Sequence, residues 1–229
     1  MNHQNNITRI RAVYHALGDL SNEVVFVGGA TVSLYADREA SDVRETDDVD
    51  IVVELYSRTG YAAIEEKLQG KGFQPDHESK VICRYKVQGI TVDVIPIDAD
   101  ILGFSNKWHG QGYQTAMDHR LDEDYTIRIF TPPYFVASKL EAFHGRGSGD
   151  GRTSHDFEDI VFLFNNRSTI WEEMEAAPES VRSYLKEEAQ KLVRITYLRE
   201  WISANLEYSQ ESRADFIQEQ LENFVAMDF

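Results

Sequence analysis

The sequence predicts an α+β fold in which a mixed sheet with flanking helices is followed by a helical C-terminal half. In the first part of the chain, short β-branched runs alternate with apolar residues at helical spacing. After Thr131-Pro132-Pro133 the helical spacing continues almost without interruption. A threonine followed by two prolines favours a helix start, because proline fits the first helical turn. We therefore expect an α/β core over residues 1–130 and a helical domain over residues 131–229.

The first half is predicted to have the element order αβαβαββ. Ile10, Val13 and Leu17 recur at helical spacing, whereas the run VVFV at 24–27 is short and β-branched and favours a strand. The Gln88-Gly89 pair predicts a hairpin. The predicted elements are a helix at 8–17, a strand at 23–27, a helix start at 30–35, a loop at 37–46, a strand at 48–53, a helix at 60–70, and strands at 81–87 and 90–97.

The second half is predicted to be helical to its end. Apolar residues recur at helical spacing, and a glycine-rich stretch at 145–151 interrupts the first helix. The predicted helices are 134–144, 154–164, 181–206 and 213–227.

Composition limits the classes of function. With 39 acidic and 23 basic residues the chain carries a net charge of −16, which excludes a uniformly basic nucleic-acid surface but not a local basic patch. The single cysteine, Cys83, lies in an apolar run and is expected to be a buried, inert thiol. No run of about 18 apolar residues is present, so no membrane span is expected. These features predict a cytoplasmic protein.

Three aspartates form the most specific chemical pattern. Side chains alternate along a strand, so Asp48 and Asp50 share one face, about 7 Å apart, opposite the apolar face of Val49 and Ile51. Asp93 interrupts a second, otherwise apolar strand, where an unpaired buried carboxylate would be costly. If the two strands are neighbours, the three carboxylates form an acidic triad. Mg²⁺, or alternatively Mn²⁺, would relieve their mutual repulsion.

A glycine pair precedes this pattern. Gly28 and Gly29 lie between a predicted strand and a helix start, where glycine allows close backbone approach and free N–H groups attract a phosphate. Thr31 is a nearby hydroxyl donor. The glycine pair and the Asp-x-Asp pair are each weak evidence for a nucleotide site on their own. The glycine pair is also consistent with a simple turn. The combined order of a strand, Gly-Gly, a helix, an Asp-x-Asp strand and a later strand with a lone Asp is more specific for a nucleotide site.

This order of elements resembles the DNA polymerase beta-like nucleotidyltransferase superfamily. The spacing between Gly29 and Asp48 is longer than is usual in this superfamily. In its length it is similar to the spacing in the branch of AbiEii-like, type IV toxin–antitoxin nucleotidyltransferases. The resemblance implies a nucleotidyltransferase-like sheet in the first half and a helical half that completes the nucleotide site. It covers residues 24 to about 164, and the last 65 residues carry no motif of this resemblance.

The resemblance also implies functional residues in the helical half. Proteins of this branch carry a helix with a lysine, then an arginine, then an acidic helix. In this sequence the lysine is Lys139, the arginine is Arg146, and the acidic helix contains Asp156 and Asp159. Lys139 would contact the nucleotide phosphates, and Asp156 and Asp159 would support that contact. The alternative is that Lys139 is a solvated helix residue and that the two aspartates cap a helix or face solvent.

Two hypotheses of different class follow. In the first, the chain is an enzyme that moves a nucleotidyl group from an NTP to an acceptor hydroxyl, with Asp48, Asp50 and Asp93 as catalytic and metal-binding residues. The acceptor is RNA, such as a tRNA end, or a small molecule of the kind that antibiotic-modifying relatives use. In the second, the chain is a nucleotidyltransferase-like module that acts through a partner protein such as an antitoxin.

Overall fold

A computed structural model describes residues 2–38, 43–55, 57–103, 105–145 and 149–227. The chain divides into two compact units. One consists of Met1–Leu34 with Asp42–Thr131, and the other of Tyr35–Ser41 with Pro132–Phe229. The described residues combine a mixed sheet with many helices, so the predicted α+β fold class is confirmed.

The first unit is built on a sheet whose described strands number seven. The strands are β1 (Val24–Val27), β2 (Asp48–Val53), β3 (Gln74–Pro75), β4 (Arg84–Val87), β5 (Ile90–Pro96), β6 (Met117–Arg120) and β7 (Thr126–Ile129). Their spatial order is β3-β4-β5-β2-β1-β7-β6. β2 is parallel to β5 and antiparallel to β1, so the sheet is mixed.

Helices of the first unit are α1 (Asn2–Leu17), α2 (Arg58–Gly70), α3 (Ala99–Leu102) and α4 (His109–Gln114) among the described residues. Ile10, Val13 and Leu17 of α1 are fully buried, as their spacing predicted. The sheet supplies the rest of the core through β-branched residues. Val49 and Ile51 are fully buried, and so are Val92 and Val94 of β5.

The second unit is helical in its described part. Its helices are α5 (Pro132–Gly145), α6 (His155–Asn166), α7 (Ile170–Glu175), α8 (Glu179–Leu192), α9 (Leu198–Ala204) and α10 (Ser212–Ala226). Phe143, Phe157 and Trp201 form an aromatic cluster with ring centroids 5.5 to 6.1 Å apart. None of the helices in the described residues is long and apolar enough to cross a membrane.

Some predicted elements differ from the observed ones. The segment 29–35 is a 3₁₀ helix and not the start of an α-helix. The predicted strand at 81–87 begins only at Arg84, because the backbone N–H of Arg84 closes a turn onto the carbonyl of Val81. The predicted helix at 181–206 is two helices, since tight turns at 191–195 end α8.

The hairpin of β6 and β7 was missed by the sequence analysis. β6 is an edge strand with the polar sequence MDHR, and among the strands that the structure describes it pairs with β7 alone. A strand of this kind lacks the apolar alternation that identifies a buried strand. The predicted loop at 37–46 has no regular structure at 36–38 and 43–46, and residues 39–42 lie outside the described part.

Candidate active site

The structure brings Asp48, Asp50 and Asp93 together on one face of two neighbouring strands. Asp50 of β2 and Asp93 of β5 are direct register partners in a parallel pair, and Asp48 lies opposite Thr91. Parallel register partners project to the same face, so the three carboxylates form a row. We call Asp48, Asp50 and Asp93 the acidic row. Asp93 is only 7% exposed, whereas Asp48 and Asp50 are half-buried and Asp47 is exposed.

Arg84 of β4 binds two members of the acidic row. Its Nε lies 2.8 Å from Oδ1 of Asp93, and its Nη2 lies 2.8 Å from Oδ2 of Asp93 and 2.9 Å from Oδ2 of Asp48. The hydrogen bond to Asp93 is the main cause that raises the pKa of the guanidinium above its ordinary value, although burial opposes the shift. The row is therefore partly neutralised by a cation from the same sheet.

Arg84 is a site residue that no sequence motif marked, although the hairpin register contains a signal for it. A two-residue turn at Gln88-Gly89 makes residues 87 and 90 partners, and counting back along the hairpin places residue 84 opposite residue 93. The same turn explains the positive φ values of 51° at Gln88 and 80° at Gly89.

Gly28 lies directly against the acidic row. Its φ of +75° is in the left-handed region, and a Cβ at this position would lie 1.9 Å from Oδ2 of Asp50. A side chain at this position would be strained on both grounds. Gly28 follows Val27, the register partner of Asp50, so the turn begins where β1 meets the row.

Gly29 lies against a second basic residue. A Cβ at Gly29 would lie 2.3 Å from Nη2 of Arg44 and 3.0 Å from Cγ2 of Thr46. The glycine pair is therefore packed between a carboxylate and a guanidinium, a polar environment that an ordinary turn does not need.

Thr31 is fully buried and stabilises the same turn. Its hydroxyl donates a hydrogen bond to the carbonyl of Gly28 at 2.9 Å, and its backbone N–H donates to the same oxygen at 3.2 Å. The observed contact of Thr31 is thus with the turn itself. A contact between Thr31 and a nucleotide stays a prediction.

Helix α1 holds the segment that leads into β2. The fully buried Asn6 accepts a hydrogen bond from the backbone N–H of Thr46 at 3.1 Å and donates one to the carbonyl of Arg44 at 3.1 Å. Arg9 also donates to the carbonyl of Thr46. These contacts position the chain immediately before Asp48. They join residues about forty positions apart, so no local sequence pattern indicated them.

The candidate residues of the helical unit form a buried cluster of their own. Nζ of Lys139 in α5 lies 3.1 Å from Oδ1 of Asp156 and 2.7 Å from Oδ2 of Asp159 in α6. Lys139 is 7% exposed, Asp156 6% and Asp159 1%. Burial excludes the alternative that Lys139 is a solvated helix residue. Arg146 lies outside the described residues.

The charge state of Lys139 follows from this arrangement. Burial alone would lower the pKa of the ammonium group, but the two carboxylates outweigh it and raise the pKa above its ordinary value. Lys139 is therefore a fixed positive charge. Ser154, the residue before α6, caps that helix by accepting from the backbone N–H of Phe157, so Asp156 is not needed as its N-cap.

The donor chemistry of the acidic row suits a divalent cation. Carboxylate oxygens are the ligands that Mg²⁺ and Mn²⁺ prefer, and Asp48 and Asp93 already share one cation, the guanidinium of Arg84. Within the described residues no group of three or more His, Cys, Asp or Glu side chains is arranged to hold a metal ion as it stands. The ligands therefore fit by type and by strand register, while Arg84 takes the cation position.

Cys83, next to Arg84, has the predicted character. It is a free thiol, 1% exposed, and burial raises its pKa to about 12. A thiol of this kind is protonated and inert at neutral pH. The prediction of a buried cysteine is confirmed, and the raised pKa agrees with an unreactive thiol.

Comparison with known proteins agrees with the motif pattern. A family model described as "Nucleotidyl transferase AbiEii toxin, Type IV TA system" matches residues 11–228. The match covers nearly the whole chain, including all but the final residue of the 65-residue C-terminal segment in which no motif was found. No curated protein matches the chain. The resemblance that the glycine pair and the three aspartates indicated is thereby confirmed.

Proposed function

Because the chain belongs to the family of AbiEii nucleotidyltransferase toxins of type IV toxin–antitoxin systems, and is therefore a nucleotidyltransferase, we propose that it is Mg²⁺-dependent and transfers a nucleotidyl group from an NTP to an acceptor hydroxyl. One observation carries the proposal. Asp50 and Asp93 are register partners on adjacent strands, with Asp48 on the same face and the glycine turn directly against Asp50.

In this proposal each carboxylate has a role. Asp48 and Asp50 hold the divalent ion, with Mn²⁺ as an alternative to Mg²⁺. Asp93 completes the ligand set and accepts the proton of the attacking hydroxyl, a role that suits a carboxylate directly beside the other two. When bound, the ion offsets the repulsion within the row and neutralises charge on the transferred phosphate.

The backbone at Gly28 and Gly29 is proposed to bind the triphosphate, with Thr31 holding the turn in shape. The absence of side chains at this turn lets a phosphate approach the backbone, and the guanidinium of Arg44 beside Gly29 adds positive charge. Lys139 is proposed to contact nucleotide phosphates as well. Asp156 and Asp159 would keep its ammonium charged and oriented.

Replacing both Asp48 and Asp50 by Asn tests the assignment. We expect NTP transfer to be lost while the circular dichroism spectrum and the cooperative unfolding transition remain, because Asn is isosteric and the apolar face of β2 is untouched. Asp118→Asn is the matched control, since Asp118 is an exposed strand residue of the same sheet. Mg²⁺-dependent transfer that persists in the double variant would overturn the assignment.

The acceptor is proposed to be RNA, such as a tRNA end, in keeping with a toxin family. The net charge of −16 opposes strong unassisted RNA binding, so a small hydroxylated molecule is the competing acceptor. Incubation with each of the four NTPs, labelled at the α-phosphate, together with total tRNA or a set of small hydroxylated compounds would distinguish them. Label recovered in RNA supports the proposal, and label recovered only in small products contradicts it.

The family description also implies a second protein. Members belong to toxin–antitoxin systems, so we propose that this chain is paired with an antitoxin. A cytoplasmic location is part of the same proposal, because NTPs and tRNA are found there. Co-expression with a neighbouring reading frame should relieve growth inhibition caused by this chain. Inhibition that every neighbouring frame leaves unchanged would contradict the pairing.

A further inference from the structure

Arg84 occupies the place where two carboxylates of the acidic row, those of Asp48 and Asp93, converge. One nitrogen, Nη2, lies within hydrogen-bond distance of both Asp48 and Asp93, and Nε completes a two-pronged contact with Asp93. The Arg84 side chain is 25% exposed and that of Asp93 11%, so the contact is partly shielded from water. A planar guanidinium makes this fork, whereas an ammonium group cannot.

The contact has a physical reason in the absence of metal. Three carboxylates on one face repel one another, and Asp93 is nearly buried. An uncompensated buried charge destabilises a fold strongly. Arg84, which the hairpin places opposite Asp93, offsets the charge of Asp93 and Asp48 without a metal ion.

The same contact opposes metal binding. A divalent ion needs the carboxylate oxygens that Arg84 holds, and two cations cannot share that position without repulsion. Arg84 places one positive charge beside the carboxylates of Asp48 and Asp93. Without that charge the same two carboxylates would attract a divalent ion more strongly.

We propose that Arg84 is the resting counter-ion of the acidic row, which holds Asp48 and Asp93 until a divalent ion displaces it. The inference rests on the proposed function for the identity of the metal site. A divalent ion without nucleotide then binds weakly, because it must displace Arg84. Arg84 therefore sets the concentration of ion that is needed to occupy the row. The acidic row accepts its ion at the expense of a contact that stabilises the metal-free enzyme.

Mn²⁺ binding to the full chain without nucleotide, followed by electron paramagnetic resonance, tests the proposal. We expect Arg84→Gln to bind Mn²⁺ at least about tenfold more tightly than the unaltered chain, because a full charge beside two ligands is removed and solvent screens it only in part. Lys86→Gln is the matched control. It removes a positive charge from the same strand, but Lys86 pairs with Asp76 outside the row.

Thermal unfolding provides a second readout. The metal-free Arg84→Gln variant should melt at a lower temperature than the unaltered chain. Saturating Mn²⁺ should raise the melting temperature of the variant by more than it raises that of the unaltered chain. Adding Asp93→Asn to Arg84→Gln should abolish the gain in affinity. If Arg84→Gln does not fold, Arg84→Lys keeps the charge but loses the fork, and a smaller gain in Mn²⁺ affinity is expected.

The outcomes separate this inference from the proposed function. Mn²⁺ affinity that is unchanged or weaker in the Arg84 variants would overturn the inference even if the unaltered chain transfers nucleotides. Tighter Mn²⁺ binding in a chain that transfers no nucleotide would support the inference and overturn the function. An Arg84 that serves only as a structural ion pair would lower the melting temperature without tightening Mn²⁺ binding.

Discussion

Gly28→Ala probes the contact between the glycine turn and the acidic row. The substitution adds one methyl group at a residue with φ of +75°, at a point 1.9 Å from Oδ2 and 2.9 Å from Cγ of Asp50. Such distances are far inside van der Waals contact, so the backbone or Asp50 must move.

The size of the effect follows from two contributions. A non-glycine residue in the left-handed region costs about 1–2 kcal/mol. Forcing an extra methyl group into a packed position costs about 1–3 kcal/mol more. The variant should therefore lose about 2–5 kcal/mol of unfolding free energy. Displacement of Asp50, the proposed metal ligand, should also reduce transfer by about 10²-fold.

Gly89→Ala is the control for the backbone contribution. Gly89 has a similar φ of +80°, but a Cβ there would meet no atom within 4 Å. It should lose only about 1–2 kcal/mol and retain most of its activity. Urea unfolding of both variants measures the free energies, and labelled NTP measures the transfer.

Equal losses of stability in the two variants would refute the reasoning. They would show that a Cβ at residue 28 does not collide with Asp50, and hence that the turn does not press on the row. Full transfer activity in Gly28→Ala would refute it independently.

Three further predictions concern buried polar groups. Lys139→Met should lower the free energy of unfolding in urea by about 3–5 kcal/mol, because Asp156 and Asp159 lose their buried partner. A decrease of less than about 1 kcal/mol would be the value of an exposed ion pair and would contradict the burial. Asn6→Ala should cost about 2 kcal/mol in the same assay, because a buried backbone N–H loses its acceptor, and an unchanged midpoint would contradict the contact. Burial would raise the pKa of Glu188, but hydrogen bonds from its basic neighbours lower it below the ordinary value. The ionised Glu188 therefore stabilises the fold above the ordinary value of 4.5, and this contribution is lost as pH falls through the lowered pKa. Glu188→Gln should therefore be less stable than the unaltered chain at neutral pH, and the gap should close in acid unfolding series; a gap that widens in acid would contradict this sign.

The acidic row illustrates what sequence reasoning can recover. The alternation of side chains placed Asp48 and Asp50 on one face, and the isolated position of Asp93 in an apolar strand pointed to a neighbouring strand. Both arguments are local, because they use the strand period alone. The pairing of β2 with β5 was needed to bring the groups together, and the structure has that pairing.

Other parts of the site depend on contacts that the local pattern does not contain. Asn6 fixes the segment before β2 from a helix some forty residues earlier. The burial of Lys139 could not be deduced from periodicity, because α5 is buried on most of its surface. Arg84 is the intermediate case, since the sequence predicts the turn at Gln88-Gly89 and the register of that turn places residue 84 opposite residue 93.

The central claim is that the acidic row binds the divalent ion used in nucleotidyl transfer. A crystal structure of the chain with Mn²⁺ and a non-hydrolysable NTP analogue, with the anomalous signal of manganese recorded, tests it most directly. We predict an anomalous peak within about 2.5 Å of carboxylate oxygens of Asp48 and Asp50, with Asp93 beside it and the triphosphate against Gly28. Manganese bound elsewhere while the analogue is present, with Arg84 still holding Asp48 and Asp93, would contradict the claim.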